Sequence, residues 1–250
     1  MHQFIVAANW KMYLSTDEEI SFFLQHKDEL VELAAQENSQ IILFPSFISL
    51  QILGGHITPT ALKMGAQDCS NEEEGAFTGQ VSARSLAQVG CSYTLVAHSE
   101  RRAFNESDTV LVQKVAQLFN NNITPIICIG ETQEEYEKKE TEVSLTQQLT
   151  PYLELIRQFQ KPFCIAYEPV WAIGTGTTPT PQEITSVFEL IDTTLATADE
   201  NNAHSLLYGG SVTSELAPTL QGIPKIGGFL VGGASIDFQE FKKIVLSKKI

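Results

Sequence analysis

The sequence is short of positive charge and of long apolar runs, and each shortage argues against a class of function. Its 250 residues include 16 Lys and Arg against 30 Asp and Glu, a formal net charge of −14. So few and scattered basic residues argue against a nucleic-acid or anionic-membrane surface. No apolar run approaches the roughly 20 residues of a membrane span. The first one, Phe4–Ala8, is too short for a signal peptide.

Cysteine pairs are also lacking. The four cysteines are widely spaced and form no CxxC motif; they are Cys69, Cys91, Cys128 and Cys164. This spacing is typical neither of a disulfide framework nor of a zinc site. Thiols kept reduced in the cytoplasm are the simplest interpretation. We therefore expect a cytoplasmic protein that needs no metal and no cofactor.

What the sequence does have is a series of short apolar runs, each followed by an amphipathic stretch. Continuous apolarity is typical of parallel strands that are buried on both faces. The clear runs are Phe4–Ala8, Ile41–Phe44, Tyr93–Ala97, Ile126–Ile129, Phe163–Tyr167, Leu206–Tyr208 and Phe229–Val231. A weaker eighth run is Leu62–Ala66.

Helix-start signals lie between these runs. Capping-box patterns begin at Ser15, at Thr16 and at Thr180, where a proline and Glu183 follow. A further pattern at Asp237 predicts the last helix. The segment 132–139, rich in Glu and Lys, is typical of a solvated helix face.

Strand-then-helix units without linkers leave two architectures, an open doubly wound sheet and a closed barrel. An open nucleotide-binding sheet normally carries GxGxxG after its first strand, where this chain reads Asn9-Trp10-Lys11-Met12. Glycine-rich turns follow the last strands instead, where barrels often build a phosphate site. We predict an α/β fold, with residues 1–250 forming a single (β/α)₈ barrel domain.

Barrel enzymes place their sites at the carboxyl ends of the strands. Reading only those ends gives Asn9, Lys11, His98, Glu100, Glu168, Ser211, Gly232 and Gly233. Each alone has an ordinary explanation: a solvated lysine, a structural ion pair at Glu168, or glycines that serve a turn. Cys128, on the fifth strand, is expected to be a packing residue rather than a nucleophile.

Together these residues indicate a particular chemistry. The two Gly-Gly turns, at Gly209 and Gly232, expose backbone N–H groups that suit a phosphate. The carboxylate of Glu168, the imidazole of His98 and the ammonium of Lys11 would then meet near whatever that phosphate anchors. A base, a hydrogen-bond donor and a cation are suited to proton transfer on a small phosphorylated carbonyl compound.

Five segments carry a close resemblance to the triosephosphate isomerase family, in the same order and across nearly the whole chain. They are Ala8–Met12, His98–Arg102, Ala166–Gly176, Tyr208–Val212 and Val231–Ser235. Two positions depart from the family's pattern. Ala97 stands where glycine is usual, and Asp68 stands where asparagine is common.

The resemblance implies an isomerase of glycolysis and gluconeogenesis that interconverts dihydroxyacetone phosphate and D-glyceraldehyde 3-phosphate through an enediolate. It makes Glu168 the base and His98 a neutral imidazole that donates to the developing enediolate. Lys11 and Asn9 would hold the substrate, and Glu100 would orient Lys11.

The resemblance also implies residues that would bind the phosphate group and a residue that would contact a second subunit. Pro169–Gly176 resembles the family's mobile lid, which brings the Gly174 N–H to the phosphate. Ser211, Gly232 and Gly233 would complete the phosphate site. Thr78 would reach into the neighbouring subunit's active site, so that a homodimer is expected.

Three questions stay open at this stage. A different barrel enzyme acting on phosphosugars would need a Schiff-base lysine on a strand, and the clear central runs contain none. A non-catalytic binding role is compatible with the fold. For Asp68 we expect partial burial at the subunit contact and a raised pKa, so that Asp68→Asn would stabilise the dimer. The competing interpretation is that Asp68 pairs with a cation.

Overall fold

The computed structural model describes residues 3–36, 39–173 and 177–247. Eight parallel strands pair in sequence order, and the last pairs with the first, which closes a barrel. The strands are β1 (Phe4–Asn9), β2 (Ser39–Phe44), β3 (Lys63–Ala66), β4 (Cys91–Val96), β5 (Thr124–Ile129), β6 (Phe163–Tyr167), β7 (His204–Tyr208) and β8 (Ile226–Val231). The predicted (β/α)₈ barrel is therefore confirmed.

Helices cover the outside of the barrel. They are α1 (Thr16–Gln36), α2 (Leu50–Ile57), α3 (Ala83–Gln88), α4 (Ser99–Arg102), α5 (Asp108–Asn120), α6 (Gln133–Glu137), α7 (Thr141–Phe159), α8 (Pro181–Leu195), α9 (Ala217–Leu220) and α10 (Phe238–Leu246). Two 3₁₀ turns, Val170–Ala172 and Gly233–Ile236, follow β6 and β8. Among the described residues, no helix combines the length and apolarity of a membrane span.

The core forms two layers, which explains why the strands are apolar on both faces. Side chains that fill the barrel interior include Ile42, Phe44, Ile126 and Leu207. A larger cluster lies between the barrel and the helices. Inside the barrel the ring of Phe44 occupies the space beside Gly65, where an added Cβ would come within 2.2 Å of it.

Three helix starts follow from their predicted caps. Ser15 Oγ donates to Glu18 and accepts from the Glu18 N–H, and Thr180 forms a complete capping box with Glu183. Asp237 caps α10 by accepting from the backbone of Gln239 and Glu240. These local hydrogen bonds fix the residue at which each of the three helices begins. They therefore also set the length of the loop that joins each helix to the strand before it.

Candidate active site

A cavity of about 320 Å³ opens at the carboxyl end of the barrel, and most of the predicted site residues line it. Those residues are Asn9, Lys11, His98, Glu168, Ser211, Gly232 and Gly233. Strands that are distant in sequence end at one rim because the barrel is parallel and closed. Two predicted residues lie outside the cavity lining, and a third is not described. Glu100 contacts Lys11 from outside the lining, Thr78 is exposed on the loop after β3, and Gly174 lies outside the described residues.

Glu168 is a buried carboxylate at the end of β6, with 2% of its surface exposed. Its Oε1 lies 3.0 Å from His98 Nε2, and its Oε2 accepts from the Ser99 N–H at 2.9 Å. The Glu168 N–H donates to the Ile129 carbonyl at 2.7 Å. An added Cβ on Gly130 would come 1.7 Å from the Glu168 carbonyl oxygen. Glycine at 130 is thus required for Glu168 to sit where it does.

His98 has a defined tautomer. It caps α4, and its Nδ1 accepts from the Glu100 N–H at 3.3 Å. Because that nitrogen accepts, the ring proton lies on Nε2, which faces Glu168. His98 can therefore donate from Nε2 at the cavity.

Ala97, directly before His98, has φ +60° and is buried. This left-handed conformation favours glycine, and an L-residue there is strained. The departure seen in the sequence therefore falls on a backbone position that aims His98 into the cavity.

Lys11 also has a left-handed backbone, with φ +52°. Asn9 Oδ1 accepts from the Lys11 N–H at 3.0 Å, and Gln67 Nε2 donates to the Lys11 carbonyl at 2.8 Å. The ammonium lies 2.8 Å from Glu100 Oε1, and that carboxylate is 58% exposed. Lys11 is consequently held at both its backbone and its ammonium group.

The glycine-rich end of the cavity lies close to this ammonium. An added Cβ on Gly232 would come 3.5 Å from Lys11 Nζ. Gly233 opens the 3₁₀ turn after β8, and Ser211, after β7, donates weakly to the Ala172 carbonyl at 3.4 Å. Backbone N–H groups at such a turn beside a lysine make a site suited to a phosphate.

The segment after Glu168 covers one side of the cavity. Ile173 lines the cavity, whereas Trp171 is turned away from it and buried. Trp171 Nε1 donates to Glu131 Oε1 at 2.8 Å, and the Tyr167 hydroxyl donates to the same oxygen at 3.0 Å. Burial raises the pKa of Glu131, and the bonds from Trp171 and Tyr167 offset only part of that effect.

Cys128 lies beneath Glu168 and is fully buried. Burial first, and the negative charge of Glu168 second, raise the pKa of its thiol well above the usual range. A thiol held in its neutral form is a poor nucleophile. This environment fits the expectation that Cys128 is a packing residue.

Of the two interpretations of Asp68, the structure agrees with the second, pairing with a cation. Its Oδ1 lies 2.7 Å from Lys114 Nζ and its Oδ2 lies 3.0 Å from Arg101 Nη2. Both cations also contact Glu106 Oε1 at 2.7 Å. The carboxylates of Asp68 and Glu106 thus each face two positive charges. These charges offset the cost of burying the Asp68 carboxylate.

Several residues of the site were not predicted from the sequence. Gln67 holds Lys11 and Phe44 through its amide, Glu131 holds Trp171, and Leu230 contributes to the cavity wall. Glu131 could have been predicted, since it follows β5 at the same rim as the other site residues. Gln67 and Leu230 could not, because an amide and a leucine at a strand end are ordinary features. In the described ranges no group of His, Cys, Asp and Glu has a geometry that would hold a metal ion.

Comparison with known proteins agrees with this geometry. Residues 4–248 match a family model described as triosephosphate isomerase. The triosephosphate isomerase of Bdellovibrio bacteriovorus is 42% identical over 241 residues, which is 96% of this chain and 98% of that protein. Those of Aquifex aeolicus and Thermus thermophilus are 39% and 38% identical, and the matches cover 97% and 96% of this chain and 98% and 97% of those proteins.

Proposed function

The chain belongs to the triosephosphate isomerase family, and we propose that the cavity at the carboxyl mouth of its barrel is where it carries out the family's reaction. The enzyme is an aldose–ketose isomerase of glycolysis that interconverts dihydroxyacetone phosphate and D-glyceraldehyde 3-phosphate. The observation that carries the site assignment is the 3.0 Å contact between Glu168 and the N–H-bearing nitrogen of His98, beside the Lys11 ammonium.

Glu168 is the base in this proposal. Its carboxylate takes a proton from the carbon next to the substrate's carbonyl and returns it to the neighbouring carbon. The bonds from His98 and Ser99 hold the carboxylate at the cavity. A bound substrate would take over the bond from His98, because the imidazole N–H can donate to the substrate's carbonyl oxygen instead.

His98 is the hydrogen-bond donor to the enediolate. A neutral imidazole donates without a formal charge, and it can pass its proton between the two reacting oxygens. The bond from the Glu100 N–H to Nδ1 supports this role, since it keeps the proton on the nitrogen that faces the substrate. Asn9, buried at the cavity wall, supplies further polarity there.

Lys11 supplies the positive field that a dianionic substrate needs near a chain of net charge −14. Its ammonium lies beside Gly232, so one phosphate can contact both. We place Ser211, Gly232 and Gly233 at the phosphate, with Gly174 joining them from the lid. Glu100 orients Lys11 from outside the cavity.

We further propose that residues 169–176 close over the substrate. Closure excludes water, which would otherwise allow the enediolate to lose its phosphate. Ile173 at the cavity edge provides the apolar cover for this state. Trp171 follows Pro169 in the same short segment and moves with it.

A second copy of the chain is proposed to cover the mouth loops. Large apolar side chains are exposed on the loops after β1, β2 and β3, which are neighbours in the barrel; they are Met12, Tyr13, Phe47, Ile48 and Phe77. Contiguous exposed apolar groups of this kind mark an interface. Thr78 lies beside Phe77 and would contact the partner's active site. Sedimentation of the chain tests this homodimer directly.

Other functions receive less support. In the described strands lysine occurs only at Lys63, which opens β3 at the end of the barrel away from the cavity. A Schiff-base mechanism would lack its amine there.

Buried free thiols at Cys69, Cys91, Cys128 and Cys164 favour a cytoplasmic location. Residues 1–250 are assigned to one barrel domain.

The experiment that tests the function is a coupled assay of glyceraldehyde 3-phosphate turnover by the purified chain. The proposal predicts rapid formation of dihydroxyacetone phosphate without any added metal or cofactor. Binding of a phosphosugar without turnover would favour a non-catalytic role instead.

A further inference from the structure

A second cavity lies on the outer side of the barrel wall, between α6, α7 and α8, and we call it the outer cavity. Its volume is about 950 Å³, against about 320 Å³ for the cavity at the carboxyl mouth. Tyr167, the last residue of β6, lines the outer cavity, whereas the next residue, Glu168, lines the mouth cavity. Successive side chains of a strand point to opposite faces. The two cavities therefore lie on opposite sides of the end of β6, and no described residue lines both.

The floor of the outer cavity is aromatic. Tyr167 and Trp171 line it and are buried. Tyr136 stacks on Trp171, with the ring centroids 4.0 Å apart and the planes 20° apart. Val187 and Leu190 of α8 add an apolar wall. Sites for small molecules typically have volumes of roughly 300–1,000 Å³ and mainly apolar and aromatic linings. The outer cavity has both properties.

Glu131 fixes this floor. It lines the outer cavity and is 1% exposed. Its Oε1 accepts from Trp171 at 2.8 Å and from Tyr167 at 3.0 Å, so both rings are held in place. Its Oε2 is buried and has no hydrogen-bond partner within the described part of the chain. A ligand with N–H groups would supply the donor that this oxygen lacks.

The charged residues around the outer cavity are nearly all acidic. In the described lining they are Glu131, Glu137, Glu142, Glu183 and Glu189, with Lys139 as the one cation. Glu142 and Glu189 are exposed and face each other across the cavity from α7 and α8. A cavity lined by charge of one sign concentrates counter-ions. Because Trp and Tyr rings also attract cations, the charge and the floor favour the same class of ligand.

We propose that the outer cavity is a binding site for a small organic cation with an aromatic body. The body packs on Trp171 and Tyr167, and the ammonium group lies among the glutamates. The site is separate from the proposed active site, and the inference does not depend on turnover. The mouth cavity, which Lys11 lines, suits ligands of the opposite charge, such as the enediolate-like anion 2-phosphoglycolate.

The probe that tests this site is 1-naphthylmethylammonium, which joins an aromatic body to a cation. Two matched compounds keep the rings and change the charge: 1-naphthylmethanol is neutral and 1-naphthylacetate is an anion. Binding is followed by the NMR signal of the Trp171 indole N–H, because this group lies at the floor in its bond to Glu131. The other of the two tryptophans, Trp10, is buried outside the lining and serves as the internal control.

We expect the cation to shift the Trp171 signal and to leave the Trp10 signal in place. The cation should bind at least about tenfold more tightly than the alcohol, and the anion should not bind measurably. Added salt should weaken the binding of the cation but not that of the alcohol. Equal affinities for the cation and the alcohol, or no shift at Trp171, would overturn the proposal.

A pair of substitutions locates the charge effect. Glu142→Gln with Glu189→Gln removes one charge from each wall and keeps the size of both side chains. Glu154→Gln with Glu200→Gln is the matched control, since it removes the same charge at exposed positions outside the lining. We expect the first pair to weaken binding of the cation about three- to tenfold, while the control pair binds it like the parent. An equal loss in both pairs, or no loss in the first, would show that the cation does not lie in the outer cavity.

Discussion

Lys114 Nζ lies 2.7 Å from Asp68 Oδ1, and the Lys114 side chain is 3% exposed. The pair joins the loop after β3 to α5 next to the mouth loops. Replacing Asp68 by Asn leaves Lys114 with one carboxylate, that of Glu106, and Arg101 likewise. Because removing one member of a buried pair leaves charge uncompensated, we expect Asp68→Asn to lower the free energy of unfolding by about 1–3 kcal/mol.

Thermal and urea melts at fixed protein concentration measure this change. Asp28→Asn, an exposed aspartate on α1, is the matched control and should melt like the parent. A higher melting temperature for Asp68→Asn at neutral pH would contradict a stabilising role for the ion pairs of Asp68. It would instead favour the interpretation that burial of this carboxylate costs stability.

The same cluster predicts a loss of stability in acid. Burial alone would raise the pKa of Glu106, but the hydrogen bonds from Lys114 and Arg101 outweigh it, and the net pKa is lowered. A lowered folded pKa means that the stabilisation is present above the unfolded pKa and is lost as pH falls through the folded one. Replacing Glu106 by Gln should therefore narrow the stability gap between neutral and acidic pH. Thermal melts of the parent and of Glu106→Gln at neutral and at acidic pH measure this difference in stability. If the difference is the same in both proteins, Glu106 is not a source of the acid sensitivity.

Glu131 should behave in the opposite way. Burial raises its pKa in the folded state, so its contribution is most favourable below the unfolded pKa and worsens as pH rises through the folded one. Glu131→Gln keeps an oxygen for Trp171 and Tyr167 and removes the charge. We expect it to raise the melting temperature at about pH 8, by less at about pH 5. A larger gain at the lower pH would contradict the direction of the shift.

At Ala97 three effects nearly cancel on substitution by glycine. Relief of the left-handed strain favours the glycine variant by about 1–2 kcal/mol. Loss of a buried methyl costs about 0.8 kcal/mol, and the freer unfolded chain costs about 0.4–1 kcal/mol. Ala97→Gly should therefore change stability by less than about 1 kcal/mol, with kcat unchanged. Ala97→Val, β-branched at a positive φ, should be clearly destabilising in the same melts.

The sequence predicts the barrel well because buried parallel strands leave a continuous apolar signal. Strand starts are missed where polar residues line the amino end of the barrel: β2 begins at Ser39 and β7 at His204, each two residues before its predicted start. The site residues could be found because each follows a strand. The partner of Asp68 could not be found from the sequence. Lys114 is 46 residues away on a helix, and hydrophobic periodicity does not predict a contact between two such residues.

The most direct test of the central claim is the turnover of Glu168→Gln. This variant keeps the size of the side chain and loses the base, so we expect kcat to fall by at least about 10²–10⁴-fold, while 2-phosphoglycolate binding changes far less. Glu154→Gln, on an exposed turn of α7, is the control and should match the parent. If Glu168→Gln turns over glyceraldehyde 3-phosphate at a rate near that of the parent, Glu168 is not the base and the account of the site is wrong.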